Sequence, residues 1–259
     1  MRLTRFGGPT VLVEFDAWRV LIDPTFDPPG RRYAFAAGTS SVKTHGPLHP
    51  AAGLGPLDVI LVSHDHHSDN LDDAGRDLLP HATHVVTTAS GARRLELANT
   101  RGLVAGQSVR LDAAGKPSIE ITATPCRHGP PFTHAIVGDV IGFAVRRVGE
   151  TSVALWVSGD SVLHPALRAA ASDLDVDVAI VNAGGVRFGL TGPLRYTMTG
   201  AEAVELIGIL RPRVAIPAHY DGWSHFRDGE AGFRAAVRDA PPAVASLVRW
   251  LPDDGPLEV

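Results

Sequence analysis

The chain has 259 residues, 44% of them apolar and 20% charged, a composition that supplies a large core and excludes a disordered or fibrous protein. A formal net charge of −4 without any basic run argues against a nucleic-acid partner, and the lone cysteine, Cys126, excludes an internal disulfide framework. The opening "MRLTRFGGPTVLVEFDAW" is broken by Gly7, Gly8, Pro9, Glu14 and Asp16, and no apolar run reaches ~18 residues, so a cytoplasmic protein without an integral membrane segment is expected. Lysine occurs only at Lys43 and Lys116, an arginine bias that suggests a GC-rich, bacterial genome. The length favours one domain over residues 1–259.

In chain order, "TVLVEF" and "WRVLID" read as strands joined by a hairpin turn at Asp16 and Ala17. Residues 24–57 are rich in Pro and Gly and read as a long surface excursion with functional potential. "DVILVS" is a nearly continuous apolar run, expected to be a buried strand, and it leads into "HDHHSDN". "LDDAGRDLLP" reads as a short helix stopped by Pro80, "HVVTT" as a strand, and "SGARRLELA" as a helix with Ser90 as its N-cap. Strands follow at "QSVRL", "SIEITATP", "VIGFAVRR" and "SVALWVS". The second half alternates a helix from Pro165, strand "DVAIVN", helix "GAEAVELIGIL", strand "RVAIPAH", helix "GEAGFRAAVRDA" and a final "ASLVRWL". Two mixed β halves, each with its own helices, predict an α/β protein with a four-layered αββα sandwich.

Four polar clusters each sit where an apolar strand ends: "HDHHSDN", "PCRHG", "SGDS" and "PAHYDGW". Convergence on one edge of the sandwich would bring together His64, His66 or His67, Asp69, His128, Asp160 and His219. Imidazoles and carboxylates are the ligands that suit zinc, manganese or iron, and a shared carboxylate is what two close ions need.

These motifs, in this order, resemble the metallo-β-lactamase superfamily, marked by H-x-H-x-D-H after a buried strand and then a single His, a single Asp and a last His. The resemblance runs from "GGPTVLVEF" to "PAHYDGW" and is strongest to the compact lactonase-like and phospholipase D-like branch, which carries an Asp-Pro pair, here Asp23-Pro24. It implies one or two divalent ions, zinc first among them and manganese or iron as alternatives. One would be held by His64, His66 or His67, and His128; the other by Asp69, the residue at position 70 and His219, with Asp160 bridging. It also implies hydrolysis by metal-bound hydroxide of a small ester, lactone, amide or phosphodiester, with Asp69 and Asp160 as catalytic residues.

The chain departs from the marker in one place. A one-residue insertion aligns "SDNLD" with the usual "xDHLD", which keeps Asp69 but puts Asn70 where a histidine stands, and leaves the choice between His66 and His67 open. Asn offers only a neutral carbonyl oxygen, so a weakened second site is expected. That feature sustains an alternative, a non-hydrolytic metal-binding member used for sensing or structure; an iron oxidoreductase ranks below both. Asp65 is expected to support the ligands from behind.

Simpler roles compete. Asp69 and Asn70 could cap the helix beginning near Leu71, and Asp160 could be a turn residue. Trp223, His225 and Arg195 are candidates for substrate contact, Arg195 for an anionic substrate, and His134 is a weaker one. His45, His49, His81, His84 and His164 are taken as structural or solvated, and Cys126 as a buried small hydrophobe. Asp23 is expected to tie the hairpin to the metal loop. "NAGGVRFGLTG" lacks the Gly-Lys-Ser/Thr ending of a nucleotide loop. A small-molecule substrate is the expected partner, and a homo-oligomer is compatible with everything above.

Overall fold

The computed structural model describes residues 1–131, 133 and 137–259. Strands β1 (Arg2–Gly7), β2 (Thr10–Phe15) and β3 (Trp18–Ile22) form an antiparallel meander. Its second turn is made by Asp16 and Ala17, at φ 49° and 65°, the left-handed geometry that a two-residue hairpin turn demands. Within the 24–57 excursion, β4 (Arg32–Ala34) and β5 (Ser40–Val42) pair as a small ribbon. β6 (Val59–Leu61), β7 (His84–Thr88) and β8 (Thr100–Leu103) extend the first sheet in parallel from β3. The second sheet runs antiparallel through β9 (Ser108–Leu111), β10 (Ile119–Pro125), β11 (Ile141–Arg147) and β12 (Val153–Val157). It ends with β13 (Val176–Asn182) and β14 (Val214–Ala218), both parallel to β12, while β15 (Pro256–Glu258) returns to edge the first sheet beside β1.

Among the described residues the α-helices are α1 (Asp73–Leu78), α2 (Ala89–Leu95), α3 (Pro165–Asp173), α4 (Gly200–Leu210), α5 (Gly229–Arg238) and the single turn α6 (Pro242–Ala245). Successive strand side chains point to opposite faces, and the two faces explain the two kinds of apolar run. Val13, Val20 and Leu61 meet Phe143, Leu155 and Ile180 between the sheets. Their neighbours Leu12, Leu21 and Ile60 face outward onto Leu71 and Leu79 on the side of α1. On the other outer side Trp156 and Val181 pack with Leu167 of α3, Leu206 of α4 and Phe233 of α5. The layers are therefore αββα, and each fully buried Leu or Val contributes about 1.5–3 kcal/mol.

Some boundaries differ from the sequence reading. Thr88, not Ser90, caps α2, its side chain accepting from the Gly91 amide, because β7 turns straight into the helix. Asp72 caps α1, so neither Asp69 nor Asn70 is used as its cap. "ASLVRWL" forms no strand beyond a bridge between Val248 and Ala215. β1, β4, β5, β8 and β15 went unread, being short, polar or at sheet edges. Among the described residues no helix is long and apolar enough to cross a membrane.

Candidate metal centre

The four polar clusters lie just beyond the C-terminal ends of β6, β10, β12 and β14, and the sandwich brings all four to one edge. Backbone strain accompanies the placement. His219 sits at φ 55° and Asp23 at φ 40°, both left-handed conformations that cost of order 1 kcal/mol or more and are held by their surroundings. The His219 amide donates to the Gly8 carbonyl at 3.0 Å, which ties the last motif to the glycine hairpin.

Asp23 anchors the loop after β6. Its carboxylate accepts from the Ser63 amide at 2.6 Å, the Ser63 hydroxyl at 2.9 Å and the Asn70 carboxamide at 3.2 Å. Burial pushes the Asp23 carboxyl up to about 7 against those donors, with the nearby Asp160 charge adding to the rise.

The first group of ligand atoms comes from His64, His67 and His128, all buried and all within 4.8 Å of one another. His67 Nδ1 lies 3.2 Å from His64 Nε2 and 3.1 Å from His128 Nε2. Two nitrogens bound to one tetrahedral zinc at about 2.0–2.1 Å would stand roughly 3.3 Å apart, so these separations match those of ligands to a shared cation. The far ring nitrogens are fixed as donors: His128 Nδ1 meets the Tyr196 carbonyl at 2.8 Å, and His64 Nδ1 meets the Ser63 hydroxyl at 3.0 Å, which itself donates to Asp23. His64 and His128 thereby turn a lone pair inward. Burial lowers all three imidazoles, His64 and His67 well below the usual range with neighbouring rings adding to the effect. Burial thus favours the neutral imidazole, the form a metal requires.

The second group is Asp69, Asp160 and His219. His219 Nδ1 is 3.1 Å from Asp160 Oδ1, and His219 Nε2 is 3.5 Å from Asp69 Oδ2. Asn182, the last residue of β13, donates to Asp160 Oδ1 at 2.9 Å and aligns it. Asp69 Oδ1, Asp160 Oδ2 and both His219 nitrogens are buried without a hydrogen-bond partner in the protein. Buried polar atoms left unpaired cost about 1–3 kcal/mol each, and a divalent cation would answer the carboxylate oxygens and one nitrogen of His219 together. The donor set fits the ions that the sequence motifs imply. Burial alone would lower the His219 imidazolium, but Asp160 and Asp69 raise it to about 9; burial would raise Asp69, but His219 and His225 hold it well below the carboxylate range.

His66 stands outside both groups. Its Nε2 is turned onto the Val137 carbonyl and its Nδ1 is 3.7 Å from Asp65, so His67, not His66, is the ring placed beside His64 and His128. Asp65 lies behind the loop, paired with Arg94 of α2. The Asn70 carboxamide nitrogen is engaged by Asp23 and Ser63. Arg195 differs from expectation: it is exposed and pairs with Glu202 at 3.1 Å, away from the centre. Trp223 is buried against Tyr33 and Phe35, and does not line the pocket beside the metal ligands. His225 does line it, with Nε2 3.0 Å from Asp69 Oδ2. His134 lies outside the described residues. Tyr196, in the loop expected beside the active edge, lines this pocket. Asn182 and Ser63 carry no such signal beyond the position of Asn182 at a strand end.

The pocket over both groups is bounded by His67, Asp69, His128 and His225 and walled by Phe35, Val137, Val186, Phe188 and Tyr196. No lysine or arginine is among its described lining residues. A larger cavity beside Cys126, Arg127 and His164 touches only His128 of the ligand candidates, and the chemistry belongs to the smaller pocket.

An αββα sandwich with histidines and aspartates gathered at one edge defines a metal-dependent hydrolase class. The profile of the beta-lactamase superfamily domain matches residues 18–220, and the chain belongs to that family. It is 30% identical over 245 residues to a UPF0173 metal-dependent hydrolase of Opitutus terrae, covering 92% of each chain. Its fold is similar to that of an isothiocyanate hydrolase from Delia radicum gut bacteria, at TM-score 0.80, 17% identity and coverage of 100% and 99%. It is likewise similar to a protein of Veillonella parvula described as a possible metal-dependent hydrolase, at TM-score 0.81, 18% identity and the same coverage. The chain is thus a metal-dependent hydrolase of the metallo-β-lactamase superfamily.

Proposed function

We propose that the substrate is a small, uncharged molecule with an apolar portion, cleaved at an ester, lactone, amide or comparable electrophilic carbon rather than at a phosphodiester. The observation that supports this most is the pocket wall of Phe35, Val137, Val186, Phe188 and Tyr196, with no cationic side chain among its described lining residues. Pockets of this kind bind by apolar contact and orient through a few polar groups. An anionic phosphodiester would find no lysine or arginine among the described lining residues, and Arg195 is paired with Glu202.

His64, His67 and His128 would hold one ion, and Asp69, Asp160 and His219 the second; zinc suits the three imidazoles, and manganese or iron suits the oxygen-richer group. Such ions lower the pKa of a water ligand toward ~7 and polarise the bond to be cleaved. The chain does the rest. Asp69, which lines the pocket, would orient the attacking water and accept its proton, while Asn182 keeps Asp160 aligned. Phe35 and Phe188 exclude bulk water from one side of the pocket.

The test is a panel of metal-reconstituted assays using short-chain esters, lactones, an alkyl isothiocyanate and an activated phosphodiester. Neutral substrates should exceed the phosphodiester in kcat/KM by roughly tenfold or more; the reverse order would refute the reading.

A further inference from the structure

The superfamily marker places a histidine where this chain has Asn70, and the structure puts another histidine against the same carboxylate. We infer that His225 is the replacement ligand, so that the second metal site is Asp69, Asp160, His219 and His225. This rests on the proposal that both groups hold metal ions.

Three observations carry it. First, Asp69 Oδ2 is approached by two imidazoles, His225 Nε2 at 3.0 Å and His219 Nε2 at 3.5 Å. Both lengths fall in the range of ligand–ligand separations around one cation, beside the 3.1 and 3.2 Å of the His64, His67, His128 group. Second, the far nitrogen of His225 has a buried hydroxyl partner. Nδ1 contacts the hydroxyl of Ser41, a buried residue of β5 whose hydroxyl is in turn 3.1 Å from that of Ser224. With the proton on Nδ1, Nε2 turns a lone pair toward a carboxylate oxygen, an arrangement that a shared cation stabilises. Third, the ring cannot swing away. It stacks on Phe188 with centroids 5.2 Å apart at 20°, meets Phe35 edge-on at 5.5 Å and is 3% exposed.

Asn70 is the competing candidate, since its carbonyl oxygen is buried without a partner. Its orientation is settled by Asp23: only the amide nitrogen can donate to that carboxylate, which makes Asn70 a brace for the loop. A neutral carbonyl is also the weaker donor to zinc. The replacement has a consequence for the pocket. The second ion becomes linked through His225 and Ser41 to the β4–β5 ribbon, which also carries the Phe35 wall.

The experiment measures metal stoichiometry and affinity in untagged full-length protein, using zinc or cobalt(II) with a competing chelator, for wild type, His225→Ala, Asn70→Ala and Ser41→Ala. Far-ultraviolet circular dichroism reports whether each is folded. Wild type should bind two ions and His225→Ala one. Asn70→Ala should keep two, and Ser41→Ala should weaken the second by roughly tenfold or more. In His225→Cys, cobalt(II) should give a thiolate charge-transfer band on filling the second site, a signature that a residue acting only through Asp69 would not produce. Two ions of unchanged affinity in His225→Ala, loss of an ion from Asn70→Ala instead, absence of the thiolate band, or a single ion in wild type would overturn the ligand assignment. No ion in any variant would overturn the metal reading itself, and the assignment with it.

Discussion

Asp65 and Arg94 form a two-point ion pair, Arg94 Nε donating to Asp65 Oδ2 at 2.9 Å and Nη2 to Oδ1 at 2.5 Å, and this pair sets the register of the histidine loop. Asp65 lies between His64 and His66; fixed to α2, it faces away from the ligand atoms. The Arg76 side chain reinforces this by donating to the Asp65 carbonyl.

Asp65→Asn should therefore destabilise the protein by about 1–3 kcal/mol at neutral pH, the range for a buried hydrogen-bonded charge losing its partner. Burial would raise the Asp65 carboxyl, but Arg94 and His66 hold it well below the usual range. A depressed carboxyl contributes stability that is present above its unfolded value near ~3.9 and lost as pH falls through the folded one. Urea melts should show the wild-type advantage intact at pH 7 and shrinking below about pH 4. An advantage independent of pH would contradict the ion-pair account.

His164 has the opposite chemistry and lies outside the ligand set. Burial, with the Arg127 charge beside it, lowers its imidazole to about 4. The unfolded chain binds that proton near pH ~6.5 and the folded chain does not, so stability falls as pH drops from about 6.5 toward 4. In chelator-treated protein, His164→Asn should flatten that part of the stability profile, as measured by thermal melts at half-unit pH steps. An unchanged slope would remove His164 as a contributor.

The helix that follows the metal loop is seated on the Asp-Pro turn. A Cβ on Gly75 would collide with the Pro24 carbonyl oxygen, and Asp72 meanwhile accepts from the Phe26 and Asp27 amides and from Lys43 at 2.7 Å. Gly75→Ala should cost about 1–3 kcal/mol by overpacking. A melting temperature equal to that of wild type would show that the turn yields freely.

Two substitutions separate the pocket from its surroundings. Phe188→Ala removes a wall and should raise KM for a neutral ester several-fold, with a smaller effect on kcat. Arg195→Ala, which breaks only the exposed pair with Glu202, should leave both constants within about twofold. If Arg195→Ala selectively impaired an anionic substrate, the uncharged-substrate proposal would fall.

Much of this was legible in the sequence because it is local. Apolar runs ending in polar clusters marked β6, β10, β12 and β14, and each cluster lies at its strand end. The two-layer core followed from the alternating and continuous apolar runs. What stayed hidden depends on contacts distant in the chain. The choice between His66 and His67 is made by Asp65 with Arg94 and by the Val137 carbonyl. The approach of His225 to Asp69 is set by Phe35, Ser41 and Phe188, from two loops whose Pro- and Gly-rich composition carries no pattern of burial. Arg195 looked available as a free cation only because its partner Glu202 lies on the next helix, α4.

The most direct test of the account is the metal content per chain of untagged wild type, His128→Ala and Asp160→Ala after equilibration with zinc or manganese. About two ions in the wild type are predicted, with one fewer in His128→Ala and at least one fewer in Asp160→Ala, all three remaining folded. Full metal content in both variants, or none in the wild type, would contradict it.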